Sequence, residues 1–119
     1  MAKKILVVDD DTTNRKLIHT ILSKKGFDVL EAGNGIEAFN ELSHNKDIAI
    51  ILLDIVMPVM DGIEFLKEIR AKPEYINLPI IVLTTDDSKK TQATLLGAND
   101  VLIKPISPVT LIEKIGNYI

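Results

Sequence analysis

Residues 48–54 read Ile48-Ala49-Ile50-Ile51-Leu52-Leu53-Asp54, an unbroken apolar run that stops at an acid. A strand with one wet face alternates apolar and polar side chains, whereas a strand covered by helices on both faces does not. The run therefore reads as a buried parallel strand. Working outward, the same non-alternating, β-branched character recurs at Ile5 to Val8, Ile80 to Leu83 and Val101 to Ile103. Phe27-Asp28-Val29-Leu30-Glu31 is more polar, as an edge strand would be. Between these runs the spacing becomes helical. Leu17, Ile18, Ile21 and Leu22 form one stripe, Ile36, Phe39 and Leu42 a second, Phe65, Leu66 and Ile69 a third, and Leu111, Ile112 and Ile115 the last. The stretch Ser88 to Leu96 is weaker, with Ala93, Leu95 and Leu96 as its apolar positions. Gly26 and Gly97 stand where helices end before strands, the place for a left-handed C-cap. Five strands alternating with five helices predict an α/β fold, a doubly wound five-stranded parallel sheet with helices on both faces.

At 119 residues the chain is expected to be a single domain, residues 1–119, with its last helix at the C-terminus and no output domain attached. A hydrophobic fraction of 46% and a charged fraction of 26% suit a globular core. A net charge of −3 without a Lys/Arg run argues against a nucleic-acid surface. Cysteine is absent, so disulfides, thiolate metal sites and a cysteine nucleophile are excluded. The apolar stretch before Asp9 is too short for a signal peptide or a membrane span. A cytoplasmic protein that does not engage membranes is the expectation.

In a parallel sheet all strands end on one edge, and ligands bind there. Asp9, Asp10 and Asp11 follow the first run, Asp54 ends the third, Thr84 and Thr85 close the fourth, and Lys104 ends the fifth. The polar edge strand contributes nothing comparable. Strands lie about 4.8 Å apart, so a group two strands from Asp54 starts roughly 10 Å away and only a long side chain crosses that gap. Lysine is such a side chain. Carboxylates gathered in one pocket repel each other and call for a cation or raised pKa values. Oxygen donors without His or Cys favour Mg²⁺. A carboxylate beside such an ion can attack phosphorus and form an acyl phosphate, with the Thr84 hydroxyl and Lys104 ammonium binding the remaining phosphoryl oxygens. Each piece also has a plainer reading. Asp9-Asp10-Asp11 before Thr12-Thr13 can be helix-capping acid, Asp54 a loop acid, and Lys104 a surface lysine. Agreement at four strand ends favours the site.

The stretches Ile5 to Asp10, Leu53-Asp54-Ile55-Val56-Met57-Pro58-Val59-Met60-Asp61-Gly62, Ile80 to Thr84, and Gly97-Ala98-Asn99-Asp100 through Lys104-Pro105 make the chain resemble the receiver domain of two-component response regulators over essentially its whole length. The resemblance implies the flavodoxin-like strand order 2-1-3-4-5 and makes Asp54 the phosphoacceptor. Asp10 would be a direct Mg²⁺ ligand, Asp9 one acting mostly through water, and the Val56 carbonyl a further ligand. Thr84 and Lys104 would be the switch pair, and Lys104–Pro105 a cis peptide. It also implies a histidine kinase or histidine phosphotransfer protein as donor, a downstream protein target, and no enzymatic activity beyond autocatalytic phosphotransfer and autodephosphorylation. Three residues depart from the pattern: Val101 replaces the usual Tyr or Phe, Thr85 a smaller residue, and Ile106 a common Phe.

Two other readings stand beside this one. Asp9-Asp10-Asp11-Thr12-Thr13 fits the D-x-D-x-T motif of haloacid-dehalogenase-like phosphatases, which would move the phosphoryl group to Asp9. Those enzymes need an acidic pair after the lysine, and residues 105–119 hold only Glu113. The second is a pseudo-receiver that binds proteins without the chemistry. His19 and His44 are read as solvent-facing helix residues with no role.

Overall fold

The computed structural model describes residues 2–57 and 59–119. Its strands are β1 (Lys4–Val8), β2 (Asp28–Ala32), β3 (Ile48–Asp54), β4 (Ile80–Thr84) and β5 (Asp100–Ile103). The helices are α1 (Thr12–Lys24), α2 (Gly35–His44), α3 (Gly62–Arg70), α4 (Lys90–Leu95) and α5 (Pro108–Gly116). All strand pairs are parallel, in the order β2-β1-β3-β4-β5. The alternating α/β fold expected from the sequence is the one found.

Successive side chains of a strand point to opposite faces, so each apolar run feeds two cores. Leu6, Val8, Ile51, Leu53 and Val82 pack with Ala38, Leu42, Phe65, Leu66 and Ile69 of α2 and α3. Ile5, Val7, Ile50, Leu52, Ile81 and Leu83 pack with Ile18, Leu22, Leu111 and Ile115 of α1 and α5. Runs without alternation are what such a two-faced sheet requires.

Helix ends follow local chemistry. Asp11, Asn34, Asp61 and Ser107 each accept a bond from a first-turn amide, at Asn14, Glu37, Glu64 and Thr110. Gly26 and Gly97 have φ of +92° and +107°. In both places the next two amides bond back to the last helical turn, Gly26 to Ser23 and Phe27 to Leu22, Gly97 to Thr94 and Ala98 to Ala93. This paired pattern is a Schellman motif. It draws Phe27 into the turn, so β2 starts at Asp28, one residue later than expected.

Three apolar residues placed on helix stripes are exposed instead: Leu17, Ile36 and Leu95, the last 81% accessible. At about 100° per residue a helix turns Leu17 away from Ile18 and Leu22, and Ile36 away from Ala38. The weak stretch 88–96 also divides. Asp86 accepts a bond from the Ser88 amide, which winds Asp87–Lys89 into a 3₁₀ turn and leaves α4 only Lys90–Leu95. Ala93 is the only residue of α4 that is buried. Beyond the end of α4, the Arg70 guanidinium donates to the carbonyls of Gly97 (3.0 Å) and Tyr75 (2.7 Å) and to Asn99 Oδ1 (2.9 Å).

Gly62 fixes the approach of α3 to the sheet. Its amide donates to the Ile55 carbonyl at 2.8 Å. A Cβ built there would lie 2.5 Å from the Asp54 carbonyl oxygen and 2.6 Å from Ile55 Cα. These are backbone atoms with no rotamer to yield. Gly62→Ala is expected to cost about 1–3 kcal/mol in urea unfolding, the range for forced overpacking, and to shift the Asp54 and Ile55 amide resonances in the folded protein. Wild-type stability in that variant would show that the loop relaxes freely.

Candidate functional site

The ends of β1, β3, β4 and β5 converge on one edge of the sheet. Val8 pairs with Leu53 and Leu83 with Asp54, so Asp9 and Asp54 end neighbouring strands. Asp9, Asp10 and Asp54 can each offer a carboxylate oxygen such that all three lie within 4.8 Å of one another. Lys104, two strands from β3, reaches back with its Nζ 3.7 Å from Asp54 Oδ1 and 3.8 Å from Asp9 Oδ2. Its amide donates to the Thr84 carbonyl at 2.7 Å, and the Lys104–Pro105 peptide is cis.

The three carboxylates sit in different environments. Asp9 is 2% exposed. Its Oδ1 accepts from the Asp11 amide at 2.9 Å and its Oδ2 from Asn14 Nδ2 at 2.6 Å. Asp10 is exposed. Asp54 lies between, its side chain 13% exposed. Burial pushes the Asp54 carboxyl up to about 6, Lys104 opposes that, the charge and hydrogen bonding of Asp9 add to it, and the Val56 amide works against it. Asp11, the third acid of the run, is the N-cap of α1 and holds the Asn14 amide at 3.2 Å. Thus only one of the three consecutive acids is helix-capping, and the other two serve the cluster.

Thr84 is buried, and its hydroxyl accepts from the Asp86 amide at 3.0 Å. Val56 lies in the loop after β3 with its side chain exposed, and Thr85 is also exposed. Val101 is buried in the core on the α2–α3 side of the sheet. Pro58, within the motif after Asp54, lies outside the described residues.

Two sequence readings need correction. The edge strand β2 does contribute: Glu31 accepts from Arg15 Nε at 2.8 Å and lies 3.0 Å from Lys16 Nζ and 2.6 Å from His19 Nδ1. His19 is therefore engaged by Glu31, whereas His44 is exposed, its ring nitrogen 2.8 Å from the Asn40 carbonyl. Burial raises the Glu31 carboxyl, but hydrogen bonds from Arg15, Lys16 and His19 outweigh it and hold it down at about 2. Arg15 also donates to the Asp9 carbonyl at 2.7 Å. Asn14, Arg15 and Glu31 were not legible as site residues. The only signal was that Asn14 falls three residues after the capping Asp11, which brings its side chain back over the start of the helix.

Residues 5–116 match the sequence pattern of the response regulator receiver domain. The chain belongs to that family. The receiver is 42% identical over 119 residues to a chemotaxis protein CheY homolog of Campylobacter jejuni, spanning 98% of this chain and 92% of the relative. It is 41% identical over 115 residues to chemotaxis protein CheY1 of Helicobacter pylori, spanning 94% and 93%. Among solved structures, chemotaxis protein CheY4 of Vibrio cholerae superposes with a TM-score of 0.92 at 33% identity, covering all of both chains. Membership makes the receiver a two-component signalling domain and removes the phosphatase alternative. No helix among the described residues is long and apolar enough to cross a membrane.

The raised Asp54 carboxyl makes a prediction about the cation-free receiver. An acid whose pKa rises from 3.8 to about 6 on folding costs no stability below pH 3.8, loses it as pH rises between those values, and stays penalised above pH 6. With chelator present, Asp54→Asn is expected to be more stable than wild type at pH 8 by about 1–2 kcal/mol, with the gap closing near pH 4. Urea midpoints at the two pH values measure it. An equal gap at both would rule out ionisation as the cause.

Proposed function

We propose that the receiver accepts a phosphoryl group on Asp54, with Mg²⁺ bound by Asp10, Asp54 and the Val56 carbonyl and reached by Asp9 mainly through water. One observation carries this reading: of the two acids beside Lys104, Asp54 at 3.7 Å is the less buried, its side chain 13% exposed against 3% for Asp9, whereas both oxygens of Asp9 already hold hydrogen bonds. The donor set is all oxygen and strongly anionic, which suits a hard divalent cation. When bound, Mg²⁺ would supply positive charge that offsets the anionic cluster and the charge of the transferred group.

The donor is a phosphohistidine on a histidine kinase or histidine phosphotransfer protein. An Asp54 oxygen attacks phosphorus, the new O–P bond forms as the P–N bond breaks, and the imidazole leaves with the electron pair. With its carboxyl near 6, Asp54 is predominantly ionised at neutral pH and keeps its nucleophilic form. Lys104 and the Thr84 hydroxyl donate to the transferred group, stabilising the charge that builds on its oxygens. The Thr84 hydroxyl can keep its bond from Asp86 while doing so, because a hydroxyl both donates and accepts. Loss of the phosphoryl group to water is the only further reaction expected of the domain. Residues 1–119 act as one receiver unit in the cytoplasm, and the phosphorylated form changes its affinity for a downstream protein.

Incubation with acetyl phosphate and Mg²⁺, followed by mass mapping, is expected to place the modification on Asp54, and Asp54→Asn to abolish it. Modification of Asp9 would overturn the assignment. Asp10→Asn is expected to weaken Mg²⁺ binding by about tenfold or more. Asp11→Asn should leave it within about twofold, because Asn caps a helix as well as Asp does. The chain has no tryptophan, so NMR titration reports the binding.

Activation draws Thr84 and Lys104 toward the phosphoryl group, a differential interaction of the kind a population shift requires. Val101 is short, stiff about χ1 and buried in the core, so it cannot act as an aromatic rotor. A phosphoryl mimic is therefore expected to shift amides from Thr84 to Gly97 more than that of Val101. An unmoved 84–97 segment in fully modified protein would exclude this output face.

A further inference from the structure

Asp10 is the exposed member of the carboxylate cluster, and its side chain makes no hydrogen bond to the described residues. Nothing on the side chain itself aims it. Its direction is set by its backbone, which begins at the Asp9–Asp10 peptide plane. The oxygen of that peptide is the Asp9 carbonyl, and Arg15 Nη1 donates to it at 2.7 Å. The same guanidinium donates through Nε to Glu31 at 2.8 Å. Glu31 stands on β2, held in the sheet beside β1, with Val7 paired to Glu31 and Val8 to Ala32. Arg15 thus connects a rigid element to the peptide that precedes Asp10, while the peptide that follows it is held by the bond from the Asp11 amide to Asp9 Oδ1.

We propose that Arg15, anchored by Glu31, is a positioning residue for the acidic site, fixing the peptide between Asp9 and Asp10 so that the Asp10 carboxylate points toward Asp54. This rests on the reading of the cluster as a divalent-cation site, and it adds a requirement that reading does not contain. Three observations support it. The pair is shielded, with side-chain exposures of 15% for Arg15 and 16% for Glu31, so solvent does not screen it as it does a surface ion pair. Two acceptors on different elements are met by two nitrogens of one planar group, which a lysine ammonium cannot reproduce with the same rigidity. Lys16 and His19 also hold Glu31, and neither is bonded to Asp9. They fix the anchor, and only Arg15 carries its position to the loop. Groups that orient metal ligands in this way typically change affinity by about 10–100-fold when removed.

The test uses Arg15→Met, Arg15→Lys, Glu31→Gln and Lys16→Met in the intact chain. Mg²⁺ affinity is measured by NMR titration. Hydrogen exchange of the Asp11 amide, which donates to Asp9 Oδ1, is measured without cation. Arg15→Met is expected to weaken Mg²⁺ about tenfold and to speed Asp11 exchange more than that of core-strand amides. Arg15→Lys is expected to recover part of both, and Lys16→Met to resemble wild type. Glu31→Gln should lose less than Arg15→Met, and the double variant no more than Arg15→Met alone, as expected for residues acting as one unit. Wild-type affinity in Arg15→Met would overturn the proposal. So would uniform acceleration of all amides, which would mean general destabilisation. If wild-type protein itself binds no Mg²⁺, the cation reading fails, and Asp11 exchange alone decides on Arg15. Selective acceleration in Arg15→Met then supports its hold on the loop, and unchanged exchange overturns it.

Discussion

Three carboxylates have oxygens within 4.8 Å of one another, and among the described residues one ammonium, that of Lys104, stands close to two of them, Asp9 and Asp54. Like charges at such distances, partly removed from water, raise each other's free energy. The surrounding structure is arranged around tolerating that strain. The strand order sets β1 beside β3 and so brings Asp9 next to Asp54. It also leaves Lys104 two strands away, where only a long side chain closes the distance. Asp9, the most deeply buried, is stabilised by two donors to its side chain. The positive charge that the protein itself does not supply is what a bound divalent cation would bring.

The same cluster shows how one residue type takes different parts according to its surroundings. Asp9 holds a hydrogen bond on each oxygen, Asp10 is exposed and makes no side-chain hydrogen bond to the described residues, and Asp54 is largely desolvated beside an ammonium. Lys104 stands near both Asp9 and Asp54, but Asp9 is the more deeply buried and is held by two donors to its side chain. Environments that push carboxylates apart in this way separate the roles within an acid cluster. Asp11, next in sequence, has left the cluster for a helix terminus.

Strands were legible because a sheet covered on both faces leaves its mark on every residue of a run, and Ile48 to Leu53 needs no partner to be recognised. The site residues were legible because a parallel sheet sends every strand end to one edge. Helix faces were less so. Leu17 and Leu95 are as apolar as Leu22, and only the direction in which α1 and α4 lie on the sheet decides which of them is covered. The shortness of α4 was hidden for a related reason, since the turn that precedes it depends on one side chain, Asp86, capturing the Ser88 amide. The Arg15–Glu31 bridge joins residues sixteen apart through tertiary structure, and no periodicity or motif announces such a pair.

Helix α4 is moored to the rest of the molecule by the methyl group of Ala93 at its middle, by the half-buried Leu96 at its C-cap, which packs against the core, and by the turn at Gly97 that Arg70 grips. Its first residue follows a 3₁₀ turn and receives no side-chain cap. Burial of one methyl is worth about 1 kcal/mol, whereas α3 sinks Phe65, Leu66 and Ile69 into the core. Local opening draws on such loosely buried segments first. The receiver therefore carries, in its resting form, a helix whose detachment is thermally accessible long before the sheet is disturbed. A covalent change at the neighbouring strand end need not melt or rebuild anything to alter the surface. It has only to bias a motion that the sequence has already made inexpensive.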